Sequence, residues 1–528
     1  MLLWTIVACY VTAEEKRYAY DRDEDGFIAQ ALEDGTDCDD SDPDIHPGAF
    51  ESCLDGVDSD CDGFACPPRQ DIYMGDIEPS LEGNVGQLFG TSSTLVDFNQ
   101  DGYLDLVTSE PLANNRRGIV QVVFGPLRRE DSVQEGIMEI ISDEFLELHL
   151  DTTLDSNGDG FDELILVAHS EQAGRQEAQT HFLMVTDWYP GQDRYTSEIA
   201  TTLFASSWKD YTSPEEEEVE VDLDELYLGG ADNGGDHDGD GLDDLLVFAP
   251  YNGESGKVYL VTEPLEEVNS LSTVDVSIDV ATTPDIEAFG SFGGRGPDIN
   301  GDGIPEVVVG SKGYDLPIAS QNLQYEDVGG AFLFMGPLEG TQSVADADHS
   351  ISGTYTEAPL ANAVSAGDTD GDGYEELALY IQSGAGDLAI FRHFDEEVLF
   401  ASQSSDVYIY GGFSTEITHE FAESILHYDV DNDGLDDLVL AATTEPSFDG
   451  WDAVGLGSTY LFYGPVSGVQ SPDHAAARWY AGEGDWVLAP PLVGNLDGNE
   501  HTDMIMPYVG DNQTGSRIYL LTDAFRDL

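Results

Sequence analysis

Positive charge is what this sequence has least of: 18 Lys and Arg stand against 106 Asp and Glu in 528 residues, a formal net charge of −88. A surface so acidic repels phosphate backbones and anionic lipid, which excludes nucleic acid and the membrane surface as partners. Long apolar runs are also missing. The opening "MLLWTIVACYVTA" is too short to cross a bilayer and reads as an export signal, residues 1–13, although no Lys or Arg precedes it. No long amphipathic helical pattern occurs. Catalytic signatures are absent too: there is no G-x-S-x-G elbow, no H-E-x-x-H and no phosphate loop, and the histidines, 149, 169, 181, 237 and 427 among them, are scattered without readable partners. Paired carboxylates, the usual glycosidase clue, carry no information in a chain this acidic. A non-catalytic protein is expected.

What is present is a spacing. In "DVDNDGLDDLVL", Asp429, Asp431 and Asp433 occupy positions 1, 3 and 5 of a loop, Gly434 position 6 and Asp437 position 9, and an apolar run follows at once. Carboxylates at 1, 3, 5 and 9 and a backbone carbonyl at 7, here that of Leu435, supply most of the six to eight oxygens calcium takes. The glycine permits the turn that brings the first ligands together. The set closes at 9 and leads into a strand-like run, so this is no EF-hand, whose last ligand is a Glu at 12 on a helix.

The frame recurs, which separates it from ordinary Asx turns. The same positions are held by Asp97, Asn99, Asp101, Tyr103 and Asp105; by Asp155, Asn157, Asp159, Phe161 and Glu163; and by Asp236, Asp238, Asp240, Leu242 and Asp244. They are held again by Asp298, Asn300, Asp302, Ile304 and Glu306, and by Asp368, Asp370, Asp372, Tyr374 and Glu376. A seventh copy from Asn495 is worn, with Glu500 in the glycine's place, and weak or no metal is expected there. First ligands are 58, 81, 62, 70, 61 and 66 residues apart.

Each repeat has an apolar run into the loop, one out of it, and a third behind a glycine or turn: "GIVQVVFGPL", "GGAFLFMGPL", "GSTYLFYGPV". Such short β-branched and aromatic runs between Gly, Pro, Asp and Asn read as antiparallel strands. The fold class expected is all-β, seven four-stranded sheets packed radially as a β-propeller over residues 70–528. The last sheet lacks an outer strand, and the spare run "QDIYMGDIEPSL", residues 70–81, is expected to close the ring. The stretches "FGTSSTLVDFNQDGYLDLVTSEP" and "FGSFGGRGPDINGDGIPEVVVGSKG" resemble FG-GAP repeats, the units of the seven-bladed propeller of integrin α chains, over roughly residues 84–525. The resemblance implies a module that presents loops to a macromolecular partner.

Residues 14–69 are a different object, a small Cys/Asp-rich module. Ile6, Val7, Ala8 and Cys9 resemble a bacterial lipobox, with cleavage after Ala13 as the alternative. Setting Cys9 aside leaves Cys38, Cys53, Cys61 and Cys66, enough for two disulfides whose pairing the sequence leaves open. "DCDDSDPDIHPGAFESC" and "DGVDSDCDG" resemble the metal-binding motif named after the bacterial surface protein MopE. Asp21, Asp23 and Asp25, and Asp58, Asp60 and Asp62, repeat the 1, 3, 5 spacing ahead of a glycine. All-oxygen sets favour calcium over copper or zinc, with His46 a bystander.

The reading is an exported monomer, anchored to a bacterial outer membrane or cell surface through Cys9 or secreted, carrying about six Ca2+ ions. It would bind an extracellular protein or glycan through connections on the face away from the loops, 170–220 and 311–328. The alternatives are a Ca-dependent hydrolase or lyase on a propeller scaffold, and metal capture by the N-terminal module. The six full loops place 21 carboxylates at ligand positions.

Overall fold

The chain divides into two units, Met1–Arg69 and Gln70–Leu528. The computed structural model describes only Cys38, Asp39, Ser41 and Ile45 of the first. In the second it describes the strands, the acidic loops and many connections; 129–136, 171–177, 209–229, 412–423 and 443–456 are the longer stretches outside it. The export signal, the lipobox at Cys9, the cysteine pairings, His46 and the loops Asp21–Asp25 and Asp58–Asp62 all fall outside the described residues.

Residues 70–528 form a seven-bladed β-propeller. Blade one runs through Ser93–Val96, Asp105–Glu110, Ile119–Val123 and Ile137–Ile141, each strand antiparallel to the last. Blade four repeats the order with Ile286–Arg295, Val307–Tyr314, Gly330–Phe334 and His349–Ser352. First strands touch in turn from blade seven through blade one to blade six, so they ring the axis.

The core lies between blades. Seven apolar clusters each join the faces of two neighbours, the last packing Phe89, Leu106 and Val123 of blade one against Leu496, Ile505 and Ile518 of blade seven. The second strand of a blade is covered on both faces: every residue of Asp105–Glu110, Asp244–Ala249, Glu376–Ile381 and Asp437–Ala442 is buried. This explains runs such as "DLVLAA", which do not alternate as a half-exposed strand would. The glycine before the third run serves close approach. A Cβ on Gly118 would stand 2.4 Å from the Leu148 backbone of blade two, and one on Gly256 2.1 Å from the Phe289 carbonyl of blade four.

Ring closure uses less of the spare segment than its sequence suggests. Leu81–Glu82 supplies the outer strand of blade seven, pairing antiparallel with Arg517–Leu521 (Leu81 with Ile518). Gln70–Tyr73 adds instead a fifth, parallel strand to blade six, along Ala477–Tyr480. The same device recurs: short strands Arg194–Tyr195, Thr341–Ser343, Val398–Phe400 and Gly468–Gln470, each between the third and fourth strands of its own blade, pair parallel with the outer strand of the preceding blade. Gln70–Tyr73 thus corresponds to the short strand that, in those blades, lies between the third and fourth strands.

The connection expected over 170–220 is corrected. It contains the third and fourth strands of blade two, Ala178–Val185 and Thr201–Trp208. "AQTHFLMV" lacks the leading glycine and carries polar residues, which hid it. Within 311–328 a two-stranded hairpin, Leu316–Ile318 with Leu323–Tyr325, stands apart from the blades. Among the described residues no helix is long and apolar enough to cross a membrane.

Candidate metal loops

Each acidic loop joins the first and second strands of its blade. The position-1 carboxylate folds it: Asp97 Oδ1 accepts the Asp101 N–H at 3.0 Å and Oδ2 the Gly102 N–H at 2.9 Å. Asp155, Asp298 and Asp429 take the same position-5 and position-6 donors, and Asp236 and Asp368 that of the glycine. The position-5 carboxylate accepts the N–H of position 7, as Asp433 does from Leu435 at 2.8 Å. Gly434 and its counterparts have φ near +90°, a region L side chains rarely enter. Position 4 is left-handed as well: Gly158, Gly239, Gly301 and Gly371, but Gln100 at φ +63° and Asn432 at φ +63°.

Three loops bring carboxylates to a point. Oxygens of Asp368, Asp370, Asp372 and Glu376 lie within 4.8 Å of one another, as do those of Asp236, Asp238 and Asp240, and those of Asp429, Asp431 and Asp433. Loops one, two and four have Asn99, Asn157 and Asn300 at position 3, and among the described residues they form no such group of acids. Oxygen donors converging on a turn suit a hard divalent cation; among the described residues no Cys or His joins these groups.

The position-9 carboxylate has a second role that spacing alone could not show. It is buried, and one of its oxygens accepts the N–H of position 2: Phe98 to Asp105 (3.1 Å), Ser156 to Glu163 (3.0 Å), His237 to Asp244 (2.8 Å), Thr369 to Glu376 (2.7 Å) and Val430 to Asp437 (2.9 Å). In loops one and six the other takes the N–H of the glycine just past the third strand, Gly125 to Asp105 (2.7 Å) and Gly464 to Asp437 (2.8 Å); in loop four Glu306 takes the Gly336 N–H (2.8 Å) on one oxygen and the Asn300 side-chain amide (3.2 Å) on the other. These carboxylates therefore tie three segments of a blade together, and a carboxylate's roughly four lone-pair sites leave capacity for a cation. Burial pushes the carboxyls of Asp105, Asp244, Glu306, Glu376 and Asp437 up to about 7, with neighbouring loop aspartates adding to the shift. It raises that of Glu163 likewise.

Neighbouring loops touch. Asp243 Oδ2 accepts the Asp155 N–H at 3.2 Å, Asp436 Oδ2 the Asp368 N–H at 2.9 Å, and Glu375 Oε2 the Asp298 N–H at 3.4 Å. Position-7 side chains reach the position-4 glycine of the preceding blade: Leu242 at Gly158, Tyr374 at Gly301, Leu435 at Gly371 and Tyr103 at Gly498. The loops therefore lie side by side on one face. Position 8 was not singled out by spacing; its recurrent acids were the available signal. Also missed were Arg392, whose Nε lies 3.3 Å from Asp370 Oδ2, and the pair Asp151 and Asp232 on adjacent first strands, pushed by burial to about 7 and about 6.

The seventh loop closes on itself. Asn495 Oδ1 accepts the Gly498 N–H at 2.9 Å and its Nδ2 donates to the Asn499 carbonyl, so a donor stands where the other loops present a carboxylate oxygen. Asp503 still accepts the Leu496 N–H at 2.9 Å and the Asp523 N–H at 2.8 Å.

The FG-GAP repeat model matches residues 89–123, which span the first three strands of blade one and the acidic loop between the first two. The chain carries an FG-GAP repeat. Its Phe-Gly signature is structural here: Phe89 is buried between blades seven and one, and Gly90, at φ +86°, sits where a Cβ would press on Pro507. The Cu-binding MopE model, a metal-binding motif, matches residues 37–65. No curated protein matches the chain.

Proposed function

We propose that this FG-GAP propeller is an exported, non-catalytic binding module whose blades are held in register by calcium in six loops. The observation that carries the reading is the convergence of carboxylate oxygens within 4.8 Å in loops three, five and six, built from side chains that also fold the turn. Hard oxygen donors in a small, sharply turning loop select calcium over softer ions. The ions would fix the turn from first to second strand in each blade, and the partner, an extracellular protein or glycan, would dock on the opposite face.

Melting curves in EGTA and in millimolar calcium test this. A bound ion adds RT ln(1 + [L]/Kd) per independent site, so calcium raises Tm markedly; superimposed curves sink the proposal. Native mass spectrometry should count one ion fewer in Asp370→Ala and in Asp431→Ala and no change in Asn495→Ala.

The match to a MopE-type motif at residues 37–65 favours a second activity, metal capture by the N-terminal unit. Copper titration of the full chain with the propeller sites saturated by calcium separates the two.

A further inference from the structure

Blade one breaks the propeller's pattern at its end away from the loops. The face it turns to blade seven begins apolar, with Leu106, Val123 and Ile137 in the shared core. Along the same strands the next row is Thr108, Gln121 and Glu139, and the last is Glu110, Ile119 and Ile141, as the register sets it. Side chains on one face of a strand recur every second residue, so Glu110 stands where a core residue belongs. It is only 4 % exposed. Its one described hydrogen bond is long, 3.4 Å from the Asn84 N–H to Oε1, and no Lys or Arg among the described residues pairs with it or with Glu139.

The two glutamates border a cavity of about 490 Å3, a volume typical of small-ligand sites. Gln121, Asn84 and Asn114 add amide groups to its wall, and Tyr195, 47 % exposed, adds an aromatic one. Asn114, in the wall, is held at φ +49° and opens a run of three left-handed residues, a conformation non-glycine residues seldom adopt. Burial raises both carboxyls from their ordinary range; the charge of Glu139 adds to the shift of Glu110, and that of Asp193 to the shift of Glu139. Two uncompensated carboxylates under an aromatic edge suit a cation in that space.

We propose that this cavity binds an alkylammonium group, as carried by a lysine side chain or by a free amine. The site deepens the reading of the propeller as a binding module and rests on that reading. It uses no loop residue, since Glu110 lies five residues, about 16 Å along the strand, from Asp105, and it stands or falls apart from calcium.

Calorimetric titration of the full chain in calcium and 0.3 M NaCl, where diffuse attraction of amines to the acidic surface is screened, is the test. The probes are n-butylamine, Nα-acetyl-lysine N-methylamide and the neutral norleucine analogue. Saturable one-to-one binding of a cationic probe, absent for the norleucine analogue and weakened at least tenfold in Glu139→Gln and in Glu110→Gln, is the expected result. Tyr195→Ala, an exposed change that leaves the fold alone, should weaken it severalfold. Tighter binding of the lysine amide assigns the site to a polypeptide partner, and tighter binding of butylamine to a free amine. No saturable binding, equal binding of the neutral probe, or unchanged affinity in the glutamine variants overturns the proposal. The calcium count of the same samples reports separately on the loops.

Discussion

The Arg392 guanidinium lies 3.3 Å from Asp370 Oδ2, inside the loop where four carboxylates converge. A fixed positive charge there relieves repulsion among Asp368, Asp370, Asp372 and Glu376 and also lowers the potential that attracts a divalent ion. Arg392→Gln should therefore tighten calcium at this loop severalfold while lowering Tm in EGTA; calorimetry and melting of the one variant give both signs. A calcium affinity that falls would mean the arginine orders Asp370 as a ligand instead. The aspartates were legible because positions 1, 3, 5 and 9 repeat along the chain. Arg392 was not, since it lies sixteen residues beyond Glu376, at the end of the third strand, and reaches the loop only through the antiparallel return of the sheet.

Among elements, the position-9 carboxylate serves as hinge pin between loop, second strand and the end of the third. Removing that of Asp105 leaves the N–H groups of Phe98 and Gly125 without their acceptor inside the blade. A buried donor left unsatisfied costs about 1–3 kcal/mol, so Asp105→Ala should cost roughly 2–6 kcal/mol with or without calcium. Asp101→Ala, in the exposed part of the same loop, should lower Tm in calcium and change it little in EGTA. Urea unfolding of both variants in both buffers checks this, and equal calcium dependence would mean that Asp105 acts only as a ligand. The strands themselves were legible from uninterrupted runs and the glycine-led third segment. What the sequence concealed was pairing between blades: Gln70–Tyr73 looks like a closing strand but joins blade six, because a run of four residues with mixed polarity does not specify which edge it meets. The polar strand Ala178–Val185 was hidden for the related reason that its place is set by its neighbours in blade two.

For the whole molecule the burial of loop carboxylates sets an unusual pH dependence. In the metal-free protein the carboxyls of Asp105, Asp244, Glu306, Glu376 and Asp437 are pushed up to about 7 from ordinary values of 3.8 and 4.5. Between those values and about 7 the native state holds protons that the unfolded chain has released. Stability then falls as pH rises through this window, being fully present below the unfolded values and lost above the folded ones. General repulsion under a charge of −88 has the same sign. A bound divalent ion inverts it at the loops, since it favours the ionised carboxylate and has to displace the proton. Tm in EGTA should therefore decline from pH 5 to pH 7.5 while Tm in saturating calcium rises, the two curves diverging as pH climbs. Asp437→Asn separates the buried sites from the surface: it removes one raised group and should flatten the EGTA curve more than neutralising an exposed acid such as Asp433. A Tm in EGTA that climbs across this window would mean that the position-9 carboxyls are ionised in the empty loops, and that the backbone donors around them already outweigh the cost of burial.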